Sequence, residues 1–260
     1  MLDIALVSYI NTRPFMDGFE AHISPEEAQF HLLPPSSCTQ YLLEGKCQMA
    51  LLPVGALPLF KKVAIMPNYC IGANGPVESV FLFSQRPIEE IDTVFLDRHS
   101  NSSNGLTRVL MKHHWKKEVR WIMPEDKHFD KIKDNIGGVV IGDKALRIRD
   151  EFTYQYDLAD EWKKMTGLPF AFAVWAYIPG AISQDQLKRF NEAMRFGVSQ
   201  AEKTAEKWGP SYKIDRELAR HYLLNCIDYH FDQGKHKALD LYFKLLTQLP
   251  ELKLEVLEKV

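Results

Sequence analysis

Six short apolar runs, each broken at once by small or polar residues, set the rhythm of the first half of the chain. They are Ile4–Val7 before Ser8-Tyr9-Ile10-Asn11, Phe30–Leu33 before Pro34-Pro35-Ser36-Ser37, and Met49–Leu52 before Pro53. The others are Val63–Met66 before Pro67-Asn68, Val94–Leu96 before Asp97-Arg98-His99-Ser100, and Val139–Ile141 before Gly142-Asp143. Runs this short and rich in β-branched residues fit buried strands. Helical stretches lie between them. Ser37 to Leu43 stops at Gly45, a residue suited to the left-handed turn after a helix. Leu106, Val109, Leu110 and His113 recur at helical spacing behind a Ser/Asn run able to cap them. Strand, polar turn and helix in repetition predict an α/β fold with largely parallel sheets.

Two longer apolar stretches, Val77–Phe83 and Phe170–Tyr177, bracket the segment holding the Val94 and Val139 strands. They predict two crossings between lobes, with residues 1–84 and 178–260 in the first lobe and 85–177 in the second. The last third is helical. Ser183 and Gln186 form a capping box ahead of Leu187, Phe190, Met194 and Val198. Leu241, Tyr242, Leu245, Leu246 and Leu249 form another apolar stripe, expected to pack in a core.

Composition narrows the class. The 260 residues are 46% hydrophobic and 25% charged, which suits a folded globular protein and excludes a disordered one. With a net charge of -2 and no long basic run, a pair such as Lys116-Lys117 being too small to form a footprint, nucleic acid is not an expected partner. The opening residues lack the basic and apolar segments of a secretory signal, and no run is long enough to span a membrane. Cys38, Cys47, Cys70 and Cys226 are widely spaced, as reduced thiols are. The expected location is the cytoplasm.

Ligands of open α/β sheets bind beyond the carboxyl ends of the strands. That rule selects Ser8 and Asn11, Ser36 and Ser37, and Ser100 through Asn104. Helix N-termini there would attract an anion such as a carboxylate. Any one of these loops is equally an ordinary cap or turn. Asp143 follows a strand and is expected first as a helix cap, then as a lobe or ligand contact. His113-His114 and His128 lack a metal-ligand spacing, and Gly72 and Gly75 match no nucleotide fingerprint. No G-x-S-x-G nucleophile elbow occurs, and Glu89-Glu90 fits a solvated turn. The residues alone give a two-lobed α/β protein that binds a small anion.

Longer segments add a resemblance to the chorismate dehydratase family of the futalosine route to menaquinone. Ser8-Tyr9-Ile10-Asn11-Thr12-Arg13-Pro14 resembles its S-Y-L-N-x-x-P opening, and Gly45 through Val54 is similar to its G-x-x-D-x-A-L-x-P-V segment. Cys70 through Val80 resembles C-I-x-x-x-G-P-V-x-S-V, and Ile141 through Leu146 resembles I-G-D-x-A-L. Asp157-Leu158, Trp162, Thr166 through Phe170 and Phe172 through Trp175 resemble D-L-x-x-x-W-x-x-x-T-G-L-P-F-x-F-A-x-W. The likeness implies a periplasmic-binding-protein-like (type 2) fold with a ligand cleft between the lobes and a helical C-terminal segment. It implies loss of water from chorismate to give 3-[(1-carboxyvinyl)oxy]benzoate, with no metal or redox cofactor required and no obligate protein partner evident.

The resemblance also implies roles. Asn11 and Ser79 carry catalysis, Ser79 lying on a lobe-crossing strand, and the enolpyruvyl carboxylate itself takes the proton. Ser8, Ser37, Ser100, Ser102, Ser103 and Asp143 bind substrate. Two positions depart from the family pattern. Asn101 stands where S-R-T-S has an arginine, leaving Arg13 and Arg98 as candidate replacements, and Gln48 replaces an aspartate in a structural setting. A non-enzymatic solute receptor on the same scaffold is the rival reading. The related dihydroxynaphthoate synthase, another rival, opens with an S-P-C-P-N-D-type segment unlike Ser8–Pro14.

Overall fold

The computed structural model describes residues 1–124 and 129–255. His128 lies outside them. In chain order, residues 1–73 carry β1 (Leu2–Val7), α1 (Arg13–His22), β2 (Ala28–Leu33), α2 (Pro35–Leu43), β3 (Met49–Pro53) and β4 (Ala64–Ala73). Then come β5 (Val80–Ser84), β6 (Thr93–Phe95), α3 (Asn101–His113), β7 (Arg120–Ile122), β8 (Ile136–Ile141), α4 (Gly142–Ile148), β9 (Tyr154–Asp157) and α5 (Leu158–Thr166). The remainder is β10 (Phe170–Tyr177), α6 (Gln184–Ser199), α7 (Ala201–Trp208), α8 (Arg216–His221), β11 (Asp228–Phe231), α9 (Gln233–Leu246) and β12 (Leu254–Glu255). The chain packs as two units, 1–73 with 171–233 and 74–170 with 234–260.

The first unit is built on a six-stranded sheet ordered β11-β4-β10-β3-β1-β2. β1 runs parallel to β2 and β3, whereas β10 is antiparallel to β3. Its strands bury both faces, so β1 and β3 are apolar almost throughout. Phe15 and Phe19 from α1 meet Trp175 of β10 edge-on at 5.6 and 5.5 Å, and Phe19 stacks on Phe30 at 5.0 Å. The helix carrying them sits against α6 at backbone distance: a Cβ on Gly18 would strike the Ala193 carbonyl, and one on Gly197 the Pro14 carbonyl. Ser183 caps α6 with Gln186 reaching back, the expected capping box.

The second unit has a sheet ordered β12-β7-β6-β8-β5-β9. β6 runs parallel to β7 and β8, and β5 is antiparallel to β8 and β9. Phe83 stacks between Phe81 and Phe152, at 4.8 and 4.7 Å, in a core completed by Phe95, Ile122 and Val140. On the other face Tyr242 of α9 meets Phe170 at 5.3 Å and Trp162 at 6.4 Å. Its hydroxyl occupies the place a side chain at residue 105 would need, which only glycine leaves open.

Three expectations change. β4 runs on through Pro67 instead of ending there. β11 pairs with it only from Asn68, so the missing proline N–H costs no bond with that neighbour. Val77 through Ser79 form an irregular turn, with Gly75 at φ +133° and Glu78 at φ +57°, and β5 begins at Val80. The units meet along the chain at 73/74 and 170/171, where 84/85 and 177/178 are predicted, and residues 234–260 group with the second unit where the first is predicted. Tyr242 accounts for the last difference, because its apolar partners are Trp162 and Phe170. Among the described residues no helix is long and apolar enough to cross a membrane.

Candidate active site

In the first unit the parallel β1, β2 and β3 all point their carboxyl ends at one edge of the sheet. Ser8 leaves β1 there, half-buried, its N–H donating to the Leu33 carbonyl at 2.9 Å. Ser36 and Ser37 lie in the first turn of α2, whose cap position is Pro34. The Ser37 N–H donates to the Pro34 carbonyl at 2.9 Å, so that donor is spent inside the turn.

Asn11 sits at the same edge in a buried 3-10 turn, Ile10–Thr12, that leads into α1, and it is only 7% exposed. Its Nδ2 donates to the Tyr222 hydroxyl oxygen at 3.0 Å, and its carbonyl accepts from the Tyr229 hydroxyl at 3.0 Å. The Thr12 hydroxyl donates to its Oδ1 at 3.4 Å. Burial raises the Tyr229 hydroxyl well above its ordinary range, which keeps it a donor. Neither tyrosine was predicted as part of a site. A buried tyrosine signals that its hydroxyl needs a partner, and nothing in the spacing says which.

The second unit repeats the arrangement. β6 and β8 are parallel, and β5 starts beside the end of β8, with Val80 opposite Ile141. The Gly142 N–H donates to the Ser79 carbonyl at 2.7 Å, which brings Ser79 and Asp143 to the same sheet edge as the turn after β6. Ser79 is 1% exposed. Ser100 caps α3, its hydroxyl accepting from the Ser103 N–H at 3.2 Å. Ser102 and Ser103 are buried in the first turn; their carbonyls accept from the hydroxyls of Tyr242 at 3.3 Å and Thr107 at 2.8 Å. The turn before them is locked by Asn104, which bonds the Asp97 N–H at 2.9 Å and carbonyl at 2.7 Å. Burial raises the Asp97 carboxyl.

Asp143 does not cap its helix. The cap position is Ile141, and Asp143 lies one turn position inside α4, 8% exposed. The capping aspartate of this unit is Asp157, which starts α5. Its Oδ1 accepts from the Ala159 and Asp160 N–H groups at 3.0 and 3.2 Å, and its Oδ2 from Val77 and Glu78 at 2.9 and 2.7 Å. Burial pushes this carboxyl up to about 7, against four backbone donors that favour the carboxylate.

The two arginines considered for the place of Asn101 have other partners. Arg13 lies 4.0 Å over the Trp208 ring and donates from Nε to the Tyr212 hydroxyl at 2.6 Å, while the exposed Arg98 donates to the Pro124 carbonyl. Asn101 itself is exposed at the start of α3. Gln48 is structural: its Oε1 accepts from the Asp3 N–H at 2.8 Å. Of the histidines, His114 bonds Glu161 at 2.9 Å, whereas His113 Nε2 is buried without a hydrogen-bond partner and burial lowers the pKa of its ring.

Known proteins place this architecture. The chain is 25% identical to a chorismate dehydratase of Thermus thermophilus, over 82% of this chain and 84% of that one. Its fold superposes on a structural-genomics protein of Archaeoglobus fulgidus with a TM-score of 0.77 at 15% identity, covering 95% of this chain and 97% of that one. It is also similar to a Candida albicans gene product described as having the generic periplasmic binding protein fold, with a TM-score of 0.68 at 12% identity and coverage of 97% and 92%. The alkanesulfonate-binding protein of Xanthomonas axonopodis pv. citri, bound to MOPS, superposes with a TM-score of 0.65 at 11% identity and coverage of 96% and 94%. A family model described as menaquinone biosynthesis matches residues 2–248, nearly the whole length, and the chain belongs to that family.

Proposed function

We propose that this protein is a chorismate dehydratase acting in the futalosine route, a hydro-lyase that converts chorismate to 3-[(1-carboxyvinyl)oxy]benzoate and water. The observation that carries the reading is Asn11, buried and oriented by Tyr222 within the segment that resembles the family's opening signature. In this reading Asn11 and Ser79 carry the reaction, and Ser8, Ser37, Ser100, Ser102, Ser103 and Asp143 bind the substrate, each lying at the carboxyl-end edge of the sheet in its own unit.

The chemistry asks little of the protein. The C–H bond on the ether-bearing ring carbon breaks, its electrons form the new ring double bond, and the neighbouring C–O bond breaks to release hydroxide. The enolpyruvyl carboxylate takes the proton, which ends with the hydroxide in water. Aromatisation drives the reaction, so the residues need only orient the substrate and stabilise the departing oxygen. Asn11 and Ser79 can each hold a carboxylate or the leaving hydroxyl by hydrogen bonds.

Incubation of the purified protein with chorismate, followed by mass spectrometry, should reveal the enolpyruvyl benzoate. Asn11→Ala and Ser79→Ala should each lower kcat by about a hundredfold, the usual loss for one oriented polar contact, with the fold intact. Asn11→Ala also gives up the buried hydrogen bond to Tyr222 and about 1 kcal/mol of stability with it. Wild-type turnover in both variants refutes the assignment. The likeness to solute-binding proteins favours a second reading, a receptor that binds a small anion. A receptor would return chorismate unchanged.

A further inference from the structure

We infer that Asp157 is a positioning residue for Ser79: besides starting α5, its second carboxylate oxygen holds the turn that presents the serine. The inference rests on the reading of Ser79 as a substrate contact. A helix cap needs one oxygen, and Oδ1 supplies it through Ala159 and Asp160. Oδ2 is then left for another task. It accepts from Val77 and Glu78, the two residues immediately before Ser79.

The turn needs such an anchor. Glu78 adopts a left-handed conformation, φ +57°, which is strained for a residue that carries a Cβ. The two N–H groups point at Asp157 and take no part in the β5 ladder. Other contacts fix the turn's flanks. Lys163 donates to the Asn74 carbonyl and Oδ1 at 3.0 and 2.8 Å, Arg149 pairs with Glu78 at 2.6 Å, and Gly142 holds the Ser79 carbonyl. The backbone N–H groups of Val77 and Glu78 share one buried carboxylate oxygen of Asp157, which fixes the peptide path leading directly into Ser79.

Two substitutions separate the cap from the turn. Asp157→Asn keeps one oxygen for α5 and turns an NH2 group toward two N–H donors. Asp157→Ser caps the helix with an oxygen too short to reach the turn. Steady-state kinetics with chorismate on both variants, on Ser79→Ala and on the Ser79→Ala/Asp157→Asn pair test the idea. Expected is a fall in kcat of about tenfold in each Asp157 variant, with KM within about twofold, as misorientation of a contact predicts. Without Ser79, Asp157→Asn should lower kcat by less than about twofold, because coupled residues do not add. Unchanged kcat, an equal loss with and without Ser79, or failure of both Asp157 variants to fold overturns the inference. Wild-type turnover in Ser79→Ala instead overturns the reading of the site.

Discussion

At Asn11 two tyrosines act on different parts of one residue: Tyr222 takes up the side-chain amide and Tyr229 the backbone carbonyl. The amide is therefore oriented by protein alone, and its oxygen is the end turned away from Tyr222. Tyr222→Phe should cost about 1 kcal/mol of stability, one buried hydrogen bond, and lower kcat more than it raises KM; unaltered kcat would mean the amide needs no guide. Asn11 was legible in the sequence because it follows a strand end. Its partners were not, since they lie 211 and 218 residues away. All four cysteines are buried, and none is joined in a disulfide. Burial pushes Cys38 up to about 12 and Cys47 up to about 11. Above about pH 9 the unfolded chain therefore sheds protons the folded one keeps, and stability should fall as pH rises toward 11. A thiol reagent at pH 8 should label neither residue until denaturant is added; rapid labelling of the native protein would contradict the burial.

Elements were legible where a local pattern set them. The capping box at Ser183 and the glycine closing α2 both depend on neighbours a few residues away. The segment 77–79 was misleading because its valine and serine suit a strand, whereas its path is set by Asp157, eighty residues on. Close helix packing was likewise hidden, since a glycine inside a helical pattern does not say what approaches it. α1 and α6 meet with Gly18 and Gly197 against each other's backbone. Gly197→Ala should destabilise the protein by about 1–3 kcal/mol, the cost of overpacking, despite the better helix propensity of alanine. A urea midpoint equal to wild type would show that the helices can slide apart at no cost.

For the whole molecule, the repeated strand, turn and helix gave the α/β class and the two sheets. The allocation of the last helix was not legible, because an apolar stripe says that a face is buried but not against what. Tyr242 carries that information, filling the space beside Gly105 and packing on Trp162 and Phe170. Tyr242→Ala should cost about 3–5 kcal/mol, as other buried aromatics do, and raise exchange of backbone amides in α3 and α5; a melting temperature equal to wild type would refute the role. The order of synthesis then matters. By the time Phe231 leaves the ribosome the first sheet has its six strands, while the second unit still lacks α9 and the strand β12. The middle of this chain should thus mature only after α9 has been made, exposed until then as an incomplete nascent unit.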